Sequence, residues 1–294
     1  MKPAPFEYLA PTALEEAVAV LAERADAAKV LAGGQSLVPL LAMRLATPAL
    51  LVDLNRIPGL DEVRLEDGTL ELGAMTRERT VEELPGLAAR CPMIAEAVAS
   101  IGHVAIRNRG TVGGSLAHAD PAAEWPALLL ALDGEVDATG PGGTRTIGAR
   151  DLFVTYFTTS LEPTEILTRV RLRLPPPGAG SAFVEFSRRH GDFALAGAGA
   201  VLALGADGTV AEARLALIGV RDTAVRAERA EELLRGERPT HEAIRAAAEA
   251  VDEVLNPVSD VHASAGFRRH LAKVMARRAL LAARARAGGG RDDG

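Results

Sequence analysis

The sequence predicts an α+β protein in two parts, and three observations carry that prediction. Up to about residue 174, short apolar runs with strand character alternate with stretches of helical spacing. The run Pro175-Pro176-Pro177-Gly178-Ala179-Gly180 then interrupts the chain, since three prolines continue neither a helix nor a central strand. Beyond it strands come first and helices afterwards, the order of a three-stranded antiparallel sheet with helices on one face.

Each element has its own signature. Thr12-x-x-Glu15 reads as a capping box opening a helix with Leu14, Ala17, Val18 and Leu21 on one face. Lys29–Ala32 is a short strand running into Gly33-Gly34-Gln35-Ser36, where Ser36 is placed to cap a helix beginning Leu37-Val38-Pro39. Leu50–Asn55 is the next strand, so residues 1–55 form a small α/β lobe. In a second lobe, 56–176, Asp67-Gly68 turns a hairpin of Val63–Glu66 and Thr69–Gly73. Ala88–Ile101 reads as one helix, glycine-rich His103–Ala119 as a loop with strand fragments, and Ala122–Leu132 as a buried helix. Glu135–Thr139 and Arg145–Gly148 form a strand pair. In the second part, 177–287, strands fall at Ala182–Arg188, Ala196–Leu204 and Val210–Val220. Helices follow at Ala224–Arg235, His241–Leu255 and Ala265–Ala285, and 288–294 is expected to be a disordered tail.

Composition narrows the function. A chain of 294 residues with 48% hydrophobic and 24% charged residues has the balance of a folded protein with sizeable cores. A single cysteine, Cys91, supplies neither a disulfide nor the thiolates of an iron–sulfur cluster or structural zinc site. Cys91 precedes Pro92 at the start of an apolar helix and reads as structural. A net charge of −6 and 3% aromatic residues speak against nucleic acid as a partner. No signal peptide and no apolar run near the roughly 20 residues of a membrane span is visible, so a cytoplasmic location is expected.

Several stretches could carry chemistry. Ala32-Gly33-Gly34-Gln35-Ser36 and Thr111-Val112-Gly113-Gly114-Ser115 each follow an apolar segment. Glycines let backbone N–H groups approach a phosphate, and two such segments converging suit a pyrophosphate; each is equally readable as a tight turn. His118-x-Asp120-x-x-x-Glu124 reads either as an acid–base or metal set or as a polar loop capping the following helix. Gly113-Gly114-Ser115-Leu116-Ala117 is an imperfect nucleophile elbow, which would make Ser115 a hydrolase nucleophile served by His190, His241, His262 or His270. In Ala265–Ala285, Arg268, Arg269, Lys273, Arg277 and Arg278 form a basic face suited to an acidic partner, and Phe267, Leu271, Val274 and Leu281 an apolar stripe.

Taken together, these stretches resemble the FAD-binding medium subunit of the molybdenum hydroxylases, the family of xanthine and carbon monoxide dehydrogenases. Ala32–Ser36 resembles its A-G-G-x-S loop, and Ile106–Ser115 its I-R-N-x-G-T-[IV]-G-G-[NSD] segment. Ala119–Glu124 resembles A-D-P-A-[AS]-[DE], Ser187–Ala194 contains a stretch similar to R-R-x-G-D-[FY]-A, and Ala263–Arg268 is similar to A-S-x-x-[YF]-R. The resemblance implies a two-lobed FAD-binding domain of the vanillyl-alcohol-oxidase (PCMH) type, followed by a small C-terminal domain. It implies noncovalent FAD with its pyrophosphate wrapped by the N–H groups of Ala32, Gly33, Gly34, Gln35, Ser36 and Leu37 and of Thr111, Val112, Gly113, Gly114 and Ser115. The hydroxyls of Ser36, Thr111 and Ser115 would assist. Glu124 stands where relatives carry an aspartate facing the ribityl or ribose hydroxyls. Ile101 and Leu167 correspond to apolar contacts near the flavin ring, and Phe193 to an aromatic that covers it. Many relatives have a lysine where this chain has Val184-Glu185. No residue would act as a catalytic acid or base. A large partner would hold the molybdenum cofactor and a small one two 2Fe–2S clusters, in a dimer of heterotrimers. The flavin would pass electrons to an external acceptor. A stand-alone nucleotide-binding module is the remaining alternative.

Overall fold

A computed structural model describes residues 2–288. The first lobe contains β1 (Glu7–Leu9), α1 (Leu14–Arg24), β2 (Ala28–Leu31), α2 (Leu37–Ala42) and β3 (Leu50–Asp53). β3 lies between β1 and β2, parallel to both, and shares one core with Ala17, Val18 and Leu21 of α1. The capping box is shifted by one residue from its expected frame. Ala13 is the N-cap, so Glu16 takes the third helical position and its Oε2 accepts the Thr12 N–H at 3.2 Å. Alanine has no hydroxyl to complete the box.

The second lobe begins with β4 (Val63–Glu66) and β5 (Thr69–Gly73), joined by Asp67 and Gly68 at φ 47° and 77°, a turn suited to the twist of a hairpin. Six helices follow: α3 (Glu78–Glu82), α4 (Leu87–Arg90), α5 (Pro92–Ser100), α6 (Val104–Arg107), α7 (Val112–His118) and α8 (Glu124–Ala131). Two expectations are corrected here. The expected helix Ala88–Ile101 is broken at Cys91 (φ −148°, ψ 80°), because a proline disfavours helical geometry in the residue before it. The expected loop His103–Ala119 contains α6 and α7, the latter capped by Thr111 Oγ1, which accepts the Gly114 N–H at 3.1 Å. Glycine hid this helix; Gly113 is required because a Cβ there would lie 2.4 Å from the Ala74 Cβ.

β6 (Glu135–Gly140), β7 (Gly143–Gly148), α9 (Ala149–Leu152), β8 (Phe153–Thr155), β9 (Thr158–Thr159) and β10 (Ile166–Arg173) complete the lobe. Its antiparallel sheet has the order β4-β5-β10-β6-β7. The central strand, β10, has no counterpart among the expected elements. Val170 and Leu172 are buried while Arg169, Arg171 and Arg173 alternate with them.

The C-terminal domain contains β11 (Gly180–Phe186), β12 (Ala196–Leu204), β13 (Val210–Ile218) and β14 (Val225–Arg226), then α10 (Glu228–Leu234), α11 (His241–Ala250) and α12 (Ala265–Arg286). The expected three-stranded antiparallel sheet is present, with the two-residue β14 added along β13. Ser264 caps α12 by accepting the Phe267 N–H at 3.2 Å. The sheet has two apolar faces: Ala196, Ala198, Ala200, Leu215 and Leu217 join the core under α11 and α12, whereas Val201, Ala216 and Ile218 join the core of the second lobe. Buried throughout, α8 packs against both β12 and β13, which explains why all eight of its residues are apolar or, for Glu124, lodged in the seam. Polar links stitch the same seam. Glu96 accepts the Phe183 N–H at 2.8 Å and pairs with Arg286 at 2.6 Å, and the Gly219 N–H donates to Pro121 O at 2.8 Å. No helix of the described residues is long and apolar enough to cross a membrane. Of the expected tail, 288–294, all but Gly288 lies outside the described residues.

Candidate functional site

Two glycine segments far apart in sequence meet backbone to backbone. A Cβ on Gly33 would lie 2.2 Å from Arg109 O and 2.9 Å from Gly110 Cα; one on Gly114 would lie 2.6 Å from Thr111 Oγ1 and 3.3 Å from Ala32 Cβ. Glycine is therefore the residue that permits this approach. The first segment turns sharply after β2 because Gly34 adopts φ +75°. Asn55 and Arg77, which drew no attention in the sequence, fasten the junction. Asn55 Nδ2 donates to Ala32 O at 2.9 Å, and Arg77 donates to Asn55 Oδ1 at 2.5 Å and also to Arg109 O. The signal for Asn55 was topological: it follows β3 where β3 runs beside β2, visible only once the parallel pairing is known.

Backbone accounting separates the two segments. The N–H groups of Val112 and Gly113 donate to Thr76 O and Ala74 O, and those of Gly114 and Ser115 to Thr111 Oγ1 and Thr111 O. In this the structure departs from the expectation that the whole second segment offers its amides to a ligand; those of residues 112–115 are taken by the carbonyls of Ala74 and Thr76 and by Thr111. The N–H groups of Gly33, Gly34, Gln35, Ser36 and Leu37 find no protein acceptor among the described residues. Ser36 occupies the N-cap position of α2 without using its hydroxyl as a cap, contrary to expectation. Five successive donors against a surface built of glycine are chemically suited to a multiply charged anion.

The other expected residues stand on several elements. Ile101, following α5, and Leu167, on β10, belong to one core, and α7 packs on β10. The loop bearing Phe193 returns to the segment after Ile101: a Cβ on Gly191 would lie 2.6 Å from His103 Cε1 and 2.9 Å from Gly102 O. Phe193 itself is 73% exposed. Glu124, at the start of α8, is buried, and so is Glu78, whose Oε2 would lie 2.3 Å from a Cβ on Gly110, directly behind the second segment. Burial lifts Glu78 to about 7, with the Trp125 indole and Arg107 opposing it. Burial also lifts Glu185 to about 7. Glu124 is pushed well above the usual carboxylate range by burial, then by Glu185, Glu78 and Asp120. Among the described residues Thr76 Oγ1 and Glu185 Oε2 are buried without a hydrogen-bond partner, and Trp125 Nε1 faces Glu78 without reaching hydrogen-bond geometry.

The other candidate sets disperse. His118 stacks on Phe157 with ring centroids 5.1 Å apart, Asp120 Oδ1 accepts the Ala122 N–H at 2.9 Å, and Glu124 lies among carboxyls. No hydrogen bond among the described residues joins Ser115 to a histidine, so the hydrolase constellation is not assembled. Cys91 is fully buried and its thiol is pushed up by burial, consistent with a structural residue. On α12 the expected faces are redistributed. Arg268 turns inward to Asp260 (2.7 Å) and Leu195 O (3.0 Å), and Leu271, Met275, Ala279 and Leu280 form the buried stripe while Phe267 is exposed. Arg245, Arg269, His270, Lys273 and Arg277 line a shallow groove of about 410 Å³ between α11 and α12.

Comparison with known proteins follows the same division of the chain. The FAD binding domain in molybdopterin dehydrogenase matches residues 4–176, and the CO dehydrogenase flavoprotein C-terminal domain matches residues 181–283. The chain is 44% identical to the 6-hydroxypseudooxynicotine dehydrogenase complex subunit alpha of Paenarthrobacter nicotinovorans, over 98% of this chain and 97% of that one. It is 40% identical to the carbon monoxide dehydrogenase medium chain of Hydrogenophaga pseudoflava, over 97% and 99%. A solved structure of carbon monoxide dehydrogenase from Hydrogenophaga pseudoflava, lacking the Mo-pyranopterin moiety of the molybdenum cofactor, matches with a TM-score of 0.94 and 41% identity, covering 98% of this chain and all (100%) of that one. Quinoline 2-oxidoreductase from Pseudomonas putida 86 matches with a TM-score of 0.90 and 40% identity, covering 97% and 98%.

Proposed function

Because the chain belongs to the family of FAD-binding medium subunits of molybdenum hydroxylases, we propose that it is the electron-transfer subunit of such a complex. On this reading it receives electrons from 2Fe–2S clusters on a small partner and delivers them to an external acceptor. Substrate is oxidised on a large partner that holds the molybdenum cofactor, and the assembly is a dimer of heterotrimers in the cytoplasm. The observation that carries the reading is the junction of the two glycine segments, with five unused amides at Gly33–Leu37.

The residues present fit FAD. The amides of Gly33, Gly34, Gln35, Ser36 and Leu37 and the hydroxyls of Ser36, Thr111 and Ser115 would hold the pyrophosphate. Ala32, Val112, Gly113 and Gly114 shape the surface against which it lies. Glu124 would face the sugar hydroxyls, Ile101 and Leu167 would supply an apolar wall, and exposed Phe193 would close over the ring. FAD, when bound, supplies the ability to take up electrons and release them to a different acceptor, while the protein supplies orientation and electrostatics. No side chain is required as a catalytic acid or base. The chain divides into an FAD-binding domain at 1–176, with lobes 1–55 and 56–176, and a C-terminal domain at 177–287.

Copurification from the source cell tests this directly. The expected result is a complex with molybdenum- and iron-containing partners that carries one noncovalent FAD per chain, released intact by denaturation. A partner-bearing complex without FAD would overturn the reading. Reduction of the flavin by substrate through the partners, followed by reoxidation by an added acceptor, tests the electron-transfer role.

A further inference from the structure

The five free amides at Gly33–Leu37 can converge on one anion only if their N–H bonds are held in fixed directions, and each direction is set by the carbonyl of the same peptide. In a trans peptide the N–H points opposite to the preceding C=O, and no peptide bond among the described residues is cis. A carbonyl that accepts a hydrogen bond therefore aims the next residue's N–H away from the donor, and polarises it. Four of the five planes are held in this way. Ala32 O, in the peptide of the Gly33 N–H, accepts Asn55 Nδ2 at 2.9 Å. Gly33 O, in the peptide of the Gly34 N–H, accepts Gln35 Nε2 at 3.1 Å. The Val38 N–H donates to Gly34 O at 3.0 Å and the Leu40 N–H to Ser36 O at 3.3 Å, which fixes the Gln35 and Leu37 amides. Gln35 O has no such donor among the described residues; the residue four further on is Pro39, which has no N–H. The two later bonds belong to the backbone of the turn into α2, whereas the two earlier ones are made by side chains.

Asn55 is itself oriented. Its Nδ2 also donates to Asp53 Oδ1, and the other oxygen of that carboxylate accepts the Tyr8 hydroxyl at 2.6 Å. Its Oδ1 accepts Arg77, whose guanidinium reaches across to Arg109 O, the atom against which Gly33 is packed. Ala32 O and the Asp53 carboxylate only accept and Arg77 only donates, so the amide has a single orientation, with a donor toward Ala32 O.

We infer, on the FAD-binding reading above, that Asn55 and Gln35 are positioning residues for the FAD pyrophosphate: each clamps one carbonyl of the first glycine segment so that the Gly33 and Gly34 amides are aimed at the phosphates. Neither side chain is required to touch the cofactor; each acts through the peptide it holds. Glycine flanks both peptides and leaves them free to turn, so without the clamps binding itself must order them, at a cost in affinity.

Fluorescence titration of FAD into full-length apoprotein, with phosphorus NMR spectra of the bound cofactor, tests the clamps in Asn55→Ala and Gln35→Ala. Asn55 is exposed and Gln35 half-buried, so both variants are expected to fold. Each is expected to weaken FAD binding about fivefold, the worth of one ordinary hydrogen bond, and to move the phosphorus resonances from their wild-type positions. Affinity within about twofold of wild type in either variant removes that residue from the role, and in both it overturns the inference. Weakened binding with unmoved phosphorus resonances overturns it as well, because the loss then lies away from the phosphates. A wild type that binds no FAD overturns the FAD-binding reading itself. The clamps are then decided in the apoprotein by the amide nitrogen resonances of Gly33 and Gly34, which respond to the hydrogen bond on the preceding carbonyl. Movement of Gly33 in Asn55→Ala and of Gly34 in Gln35→Ala supports the clamps, and resonances that stay in place refute them.

Discussion

Replacing Gly33 by alanine places a methyl carbon 2.2 Å from Arg109 O and 2.9 Å from both Arg109 C and Gly110 Cα. Ordinary contact begins near 3.4 Å, so the two segments must part by about 1 Å. The obstructing atoms are all backbone, and that backbone is pinned, since the Glu78 N–H donates to Gly110 O at 3.0 Å and Arg77 donates to Arg109 O. Overpacking of this kind costs about 1–3 kcal/mol. If the displaced cradle transmits that cost to the ligand, FAD binding weakens about 5- to 150-fold. Fluorescence titration of FAD measures the loss, and urea unfolding of the apoprotein shows how much falls on the fold. Gly34→Ala is the graded comparison: its φ of +75° adds strain, yet the nearest atoms, Val38 Cγ2 at 3.0 Å and Leu31 Cδ1 at 3.3 Å, are side-chain ends able to yield. Gly266→Ala, with nothing within 4 Å, is the control. A folded Gly33→Ala protein that binds FAD within twofold of wild type would refute the cradle.

Three further outcomes follow from the same geometry. The folded chain keeps a proton on Glu78, lifted to about 7, that the unfolded chain releases above its ordinary 4.5. Wild-type stability should therefore fall as pH rises between those values, by on the order of 3 kcal/mol in the limit. Glu78→Gln should then gain on the wild type between pH 4.5 and pH 8 in urea unfolding; a gap that does not change with pH contradicts the assignment. Arg107→Ala removes a buried guanidinium that joins Glu82 to Ile101 O and should cost about 2 kcal/mol, because Ile101 O loses its donor and Glu82 its two-point pair while keeping Arg79 at 2.9 Å; a loss below about 0.5 kcal/mol argues against that role. Cys91 should resist a thiol reagent in the native protein and react on unfolding, given its full burial. Rapid native labelling would refute a structural role.

The parts that were legible in the sequence are those where local chemistry and tertiary context agree. The β4–β5 hairpin matches its expected boundaries because Asp67-Gly68 encodes the turn without outside help. β12 and the start of α12 also fall where they were expected, one from its apolar run and the other from its apolar stripe. Tertiary demands obscured the rest. Glycines that serve close packing made α7 read as a loop, and the alternating arginines of β10 hid the strand at the centre of its sheet. For the site, the two glycine segments were visible, but their unequal use of backbone donors was not. That inequality depends on Thr76 O and Ala74 O, which belong to the stretch following β5 and were adjacent to α7 only in three dimensions. Asn55, Arg77 and Glu78 escaped notice for the same reason.

The cradle also constrains when a cofactor can be captured during synthesis. Its first segment emerges from the ribosome roughly 75 residues ahead of its second, and α8 gains its last cover only when β12 and β13 have been made. At about 5–20 residues per second, a growing chain spends several seconds with half a cradle and an uncovered apolar helix. Cofactor loading at the cradle is thereby confined to chains in which both segments have been made. A cell short of flavin would accumulate complete, empty polypeptides awaiting their cofactor, and restoring the supply should rescue those existing molecules without new translation.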